Sequence, residues 1–133
     1  MKVFVDTSAF LAILNADDEF HTEAAAGWHD LLAREAMLIT NSFVLVETHA
    51  LVQNRLGFDA VRTLVRDMLP LFEVEWVNED LYRQAVTSFF GANRRGLSLV
   101  DCASFVTMHR HHISIAFTFD RHFSEQGFEV VWM

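Results

Sequence analysis

Two segments of this chain lack a polar face: K-V-F-V at 2–5 and S-I-A-F-T-F at 114–119. A strand that is apolar on both sides has to be buried on both sides. That is the situation of a central strand in a parallel sheet covered by helices. Each segment runs straight into a carboxylate, Asp6 after the first and Asp120 after the second. In open parallel sheets, ligands bind beyond the carboxyl ends of the strands, near the point where strand order reverses. Asp6 and Asp120 are therefore expected on one edge of one sheet.

The intervening stretches alternate in kind. Residues 8–14 (SAFLAIL) read as a helix that Asp6 or Thr7 can cap, and 20–34 (FHTEAAAGWHDLLAR) as a second. A strand at 37–40 (MLIT) is followed by Asn41 and Ser42, both capping types, then by FVLVETHALVQNRL, a helix ended by Gly57. Residues 58–69 read as helix up to Pro70, which disfavours helix at the residue before it. FEVEWV at 72–77 alternates at period two, as an edge strand with Glu73 and Glu75 outward would. Asn78 and Ser98 are placed to cap helices over 79–93 and 99–111. A helical turn at 121–126 and Gly127 lead into a last strand, FEVVW at 128–132. Strands separated by helices predict an α/β chain, a central and mostly parallel sheet covered on both faces. No repeat, low-complexity stretch or linker interrupts it, so residues 1–133 read as a single domain.

That length is near the commonest for one domain. A net charge of −8 argues against nonspecific nucleic-acid binding through a basic surface. The argument weakens if several acids hold divalent metal, because the field that counts is then that of the loaded site. Cys102 is the only cysteine, which excludes an internal disulfide and points to a reducing, cytoplasmic setting. No apolar run reaches the roughly 18 residues that span a bilayer, and no signal-peptide pattern opens the chain. The 13 Phe residues exceed ordinary usage, and either an interface or a Phe-rich core accounts for them.

Two more acids fall on helices where the spacing sets them among apolar residues. Glu47 shares a face with Phe43, Ala50, Leu51 and Asn54; Asp101 shares one with Leu97, Ser98, Phe105 and Met108. A buried carboxylate is paired, protonated or bound to metal, and neither acid has a well-placed cation within a turn on its face. Each acid also has a bland account. Asp6 and Asp120 can cap the helical turns next to them in the chain, Ser98-x-x-Asp101 matches a capping box, and Glu47 can reach solvent. Four such coincidences compete with one cause: four acids converging to hold hard divalent cations, which prefer oxygen ligands. Ser8, Ser98 and Thr118, each two or three residues from an acid, are placed to orient those carboxylates.

Four stretches, VFVDTSAFLAIL, SFVLVETHAL, LSLVDCASFVTM and IAFTFDRHF, occur in the order and spacing of PIN-domain nucleases, and the chain resembles most closely the VapC-type toxins of toxin–antitoxin systems. The resemblance covers nearly the whole chain. It implies a compact three-layer α/β/α sandwich and cleavage of RNA dependent on Mg²⁺ or Mn²⁺. By matching position it implies Asp6, Glu47, Asp101 and Asp120 as the metal-binding catalytic quartet. It further matches Ser8 and Thr118 to motif positions beside the acids and Phe123 to an aromatic three residues after the last. A cognate antitoxin and self-association as a homodimer are also implied; a membrane is not.

Phosphate contacts are sought at Arg94, Arg95, Arg110 and Arg121, against the ordinary account of solvated surface charge. His109 and His112 are three apart, a spacing that allows one helix face, and lie near a helix C-terminus, where positive charge is favoured; His49 and His122 neighbour Glu47 and Asp120 in sequence and are candidates for proton transfer. An aspartyl-nucleophile phosphatase needs a second Asp where Ser8 stands, and a receiver domain needs paired acids that Asp6-Thr7 does not supply. A structure-specific DNA nuclease and a non-catalytic interaction module are the remaining rivals, and metal-dependent cleavage separates the module from an enzyme.

Overall fold

The computed structural model describes residues 1–131. Its sheet has five strands: β1 (Lys2–Val5), β2 (Met37–Asn41), β3 (Phe72–Glu75), β4 (Ile115–Phe117) and β5 (Glu129–Val131). All neighbours pair in parallel, in the order β3-β2-β1-β4-β5. The two apolar segments identified from the sequence are thus the central pair, with Val3, Phe4, Val5, Ala116 and Phe117 all fully buried. β3 is an edge strand, as its alternation predicts, with Glu73 exposed and Glu75 half-buried.

The helices are α1 (Thr7–Leu14), α2 (His21–Ala33), α3 (Ser42–Leu56), α4 (Phe58–Thr63), α5 (Glu79–Ala92), α6 (Leu99–Arg110) and α7 (His122–Glu125). Parallel crossovers are right-handed. Steps from β1 out to β3 therefore put α1 to α4 on one face, and steps from β3 back through β4 to β5 put α5 to α7 on the other. The aromatic packing obeys this division. Phe10 and Trp28 pack on Phe72 at ring separations of 5.1 and 6.0 Å. On the opposite face Phe123 meets Phe105 at 5.0 Å and Phe4 at 6.4 Å. The result is the three-layer sandwich. Much of the surplus Phe is core, while Phe58 and Phe90 stand 64% and 72% exposed.

Three departures from the sequence expectation have local causes. The helix expected over 58–69 is α4 followed by a π turn at Leu64–Met68 and a 3-10 turn at Leu69–Leu71. Pro70 has no N–H to give the helix ladder and its ring crowds the preceding turn, and the Leu69 N–H reaches back to the Leu64 carbonyl instead. β3 stops at Glu75 rather than at 77 because its partner strand ends: Ser42 already begins α3, and its Oγ accepts the Val77 N–H at 2.9 Å. β4 is likewise shorter than 114–119, since Thr118 and Phe119 turn away to bond with the site. Trp132, assigned to the last strand from sequence, lies outside the described residues.

Strand order reverses between β1 and β4, so the crevice expected for a ligand opens at their carboxyl ends. Asp6 follows β1 directly, and its N–H bonds the Phe117 carbonyl of β4 at 3.1 Å.

Candidate functional site: an acid cluster at the strand-order switch

Asp6 is buried, with 5% of its surface exposed. It caps α1, and its Oδ2 collects three donors: the Ser8 hydroxyl at 2.9 Å, the Thr118 hydroxyl at 3.0 Å and the Ser8 N–H at 3.4 Å. Those hydroxyls are themselves fixed. The two lie 3.1 Å apart, Ser8 Oγ accepts the Phe119 N–H at 2.9 Å, and Thr118 Oγ1 accepts the Asp120 N–H at 3.0 Å. This lattice stitches the ends of β1 and β4 together around one oxygen. Burial, with added repulsion from Asp101 and Asp120, raises the Asp6 carboxyl to about 6, against the lowering effect of the Ser8 and Thr118 hydroxyls.

Asp101 reaches the same place from the first turn of α6. Ser98 caps that helix, and the pair forms a reciprocal box: Asp101 Oδ2 accepts the Ser98 N–H and Ser98 Oγ accepts the Asp101 N–H, both at 3.0 Å. The bland account of Ser98-x-x-Asp101 is therefore correct as far as it goes. Yet the Asp101 carboxyl is also raised, first by burial and then by Asp120, against the lowering effects of Ser98 and His122.

Asp120 is half-buried, and its Oδ1 accepts the His122 N–H at 2.9 Å. The His122 ring nitrogen Nδ1 sits 2.7 Å from the same oxygen, off the hydrogen-bonding direction, so it acts as a charge contact when the ring is protonated. Asp101, Asp120 and His122 each bring one ligand atom into a group whose members all lie within 4.8 Å of one another. From sequence His122 is marked only as a neighbour of Asp120, and the structure brings its ring into this group. The available signal was its place two residues after a strand-end acid, at the start of a helical turn.

A pattern runs through the three aspartates. Each spends one oxygen on the scaffold: Oδ2 of Asp6, Oδ2 of Asp101, Oδ1 of Asp120. The other oxygen of each takes no hydrogen bond among the described residues. Carboxylates held by one oxygen, with the second left over and with two of the three resisting ionisation, form a donor set short of positive charge. Asp101 and Asp120, whose ligand atoms converge with that of His122, and Asp6 close enough to repel both, make a mainly oxygen donor set of the kind a hard divalent cation takes.

Glu47 stands differently. The buried stripe of α3 is Val44, Thr48 and Val52, so Glu47 flanks it rather than lying in it. It is half-buried and has no hydrogen bond or ion pair among the described residues. Its neighbour Thr48 donates to Thr7 Oγ1 at 3.3 Å, which ties α3 to the start of α1 beside Asp6. The arginines are partly committed. Arg94 meets Glu125 Oε2 at 3.3 Å and Arg121 meets Glu125 Oε1 at 3.8 Å. Arg110 pairs with Asp80, 30 residues away in sequence. Arg95 has no partner among the described residues. Phe123, fully buried, belongs to the core and not to the site.

Comparison with known proteins agrees with this fold. The family model described as PIN domain matches residues 3–129. The chain is 35% identical over 127 residues to the 23S rRNA-specific endonuclease VapC20 of Mycobacterium tuberculosis, covering 95% of each sequence. It superposes on the crystal structure of that Sarcin-Ricin loop cleaving toxin with a TM-score of 0.86 and 33% identity, covering 98% of this chain and 99% of the other. VapBC2 from Rickettsia felis, crystallised bound to a DNA fragment from its promoter, shares the fold at a TM-score of 0.71 and 12% identity, over 98% of both chains. A five-stranded parallel sheet, acids gathered at its reversal point and a family match spanning almost every residue lead to one statement: this chain belongs to the PIN-domain family.

Proposed function

We propose that this protein is a divalent-metal-dependent endoribonuclease, hydrolysing RNA phosphodiester bonds as the toxin of a toxin–antitoxin pair. The observation that carries the reading is the set of three aspartates at the β1–β4 seam, each tethered by one oxygen. The similarity to a 23S rRNA-specific endonuclease supports RNA as the substrate class.

In this reading Asp6, Asp101 and Asp120 hold the cation, Mg²⁺ or Mn²⁺, and Glu47 completes the quartet from α3. When bound, such an ion lowers the pKa of a coordinated water and offsets charge developing on the phosphate. The protein's own part is preorganisation. Ser8 and Thr118 fix the Asp6 oxygen, Ser98 fixes Asp101, and the His122 N–H fixes Asp120, so little rearrangement is needed at the moment of reaction. The His122 ring brings a ligand atom within 4.8 Å of those of Asp101 and Asp120 and can join them on the ion. Arg94, Arg95 and Arg121 supply positive charge for phosphate beside the acids. A cognate antitoxin, a homodimer and a cytoplasmic setting complete the proposal. No helix among the described residues is long and apolar enough to cross a membrane.

The test is a cleavage assay on a panel of RNA and DNA with Mg²⁺, Mn²⁺ or chelator, run beside Asp101→Asn. RNA cleavage that needs the ion and is lost in the variant supports the reading. Equal cleavage in chelator, or an unaffected variant, would sink it. Cleavage of DNA in preference to RNA would move the chain to the structure-specific nucleases.

A further inference from the structure

The C-terminal end of α5 carries a surface that neither the core nor the acid cluster uses. Phe89, Phe90, Asn93, Arg94 and Arg95 line an open cavity of about 310 Å³, the low end of the range for pockets that hold small ligand groups. Asn93 ends the helix in the left-handed conformation, φ 51, which turns the chain sharply and sets both arginines beside the two rings. Phe89 and Phe90 meet edge-on with centroids 5.5 Å apart, and Phe90 leaves 72% of its surface in water. An aromatic ring so exposed contributes little to folding. Beside it stands Arg95, unpaired among the described residues on a chain whose net charge is −8.

The same loop is joined to the site. Arg94 bridges to Glu125 of α7 at 3.3 Å, and α7 begins at His122. Three residues past Arg95 is Ser98, which caps the helix of Asp101; that is at most roughly 10 Å of extended chain. A strand of nucleic acid that leaves the acids on the Ser98 side meets this cavity within a few nucleotides.

Resting on the ribonuclease reading above, we infer that this cavity seats an unpaired RNA base next to the scissile bond: the base stacks on Phe90, Arg95 contacts the adjoining phosphate, and the Asn93 amide borders the base edge. An aromatic face with arginine and amide neighbours is the combination that receives splayed single-stranded bases. The arginine charge draws phosphate and disfavours a basic peptide.

The experiment measures binding and cleavage separately. Wild-type protein is first shown to cleave a single-stranded RNA with divalent metal, and the cut is mapped; absence of cleavage there counts against the ribonuclease reading itself. Affinity for the same fluorescein-labelled RNA is then measured in chelator. Phe90→Ala should weaken binding roughly 5- to 150-fold, the cost of losing one stacked base. Phe90→Trp should restore it and Phe90→Leu should not, since leucine supplies apolar volume without a π face. Arg95→Ala should flatten the slope of log affinity against log salt by about 0.7, one phosphate contact on a single strand. Removing the base at one position near the cut should weaken wild-type binding and leave Phe90→Ala indifferent, a coupling that loss of structure does not mimic. Cleavage in the wild type with unchanged affinity in Phe90→Ala, equal rescue by leucine, or no abasic position that couples to Phe90 overturns the inference, and would leave the patch to a protein partner.

Discussion

Two seams of the same sheet end at the same edge and are finished in opposite ways. Where β1 meets β2, the polar groups are neutral and closed. Thr40 Oγ1 donates to the Val5 carbonyl at 3.0 Å, Asn41 Oδ1 accepts the Val44 N–H at 2.9 Å, and Asn41 Nδ2 donates to Thr107 Oγ1 at 3.1 Å. Thr107 passes its own proton to the Ala103 carbonyl at 2.8 Å, and Thr40, Asn41 and Thr107 are completely buried. Where β1 meets β4, the groups are carboxylates with one oxygen left over. The first seam is satisfied without help. The second leaves oxygens free for the positive charge that the proposed cation would bring. Buried polar groups stabilise a fold when all their bonds are made, and they become chemistry when one is withheld.

Four measurements sharpen or break that contrast. Asp101→Asn keeps an oxygen for the Ser98 box but loses its charge. Cleavage should fall by about 10²–10³ while the thermal midpoint stays close to wild type; a retained rate would break the contrast outright. Next comes a stability effect. In chelator the folded Asp6 keeps its proton to about pH 6, whereas the unfolded carboxyl releases it near 3.8. The folded state binds the extra proton between those values, so metal-free stability should fall as pH rises from about 4 to 6. Asp6→Asn should shrink that fall, with Asp101 supplying what remains, and be more stable than wild type at pH 7 by up to about 3 kcal/mol in urea unfolding. Divalent ion should recover the loss in wild type alone.

Thr118→Val comes third. It strips one donor from Asp6 Oδ2 and should lower metal affinity or turnover by about 10- to 100-fold, read from metal titrations of activity. The smallest effect belongs to the closed seam. Thr107→Val leaves Asn41 Nδ2 buried without a partner and should cost about 1–3 kcal/mol of stability, with kcat and the metal response unchanged. Loss of activity there, at full stability, would show that the two seams are not separate.

The sequence carried the open seam well and the rest unevenly. Asp6, Asp120, Ser8 and Thr118 were legible because a wholly apolar strand has one meaning, and its end has one location. Glu47 was harder. SFVLVETHALVQNRL is apolar on several sides, so spacing alone did not show that the buried stripe passes through Thr48. Val46, 65% exposed, illustrates how little hydrophobicity constrained the rotation of that helix. His122 was visible as a neighbour of Asp120, but its approach to Asp101 depends on how a four-residue turn follows Asp120, which spacing does not encode. The π turn at Leu64–Met68 escaped because Pro70 announces a break without stating how the preceding turns absorb it.

The reciprocal bonds between Ser98 and Asp101 also bear on how an inert form of this protein should be made. The side chain proposed to face the cation is the same one that helps start α6, so deleting it asks two questions at once. An alanine at position 101 removes the proposed ligand and also frees the Ser98 N–H, so any resulting loss of yield, binding or activity has two causes. Asparagine at 101 separates them. A harmless version intended for partner capture or expression in living cells is best built that way.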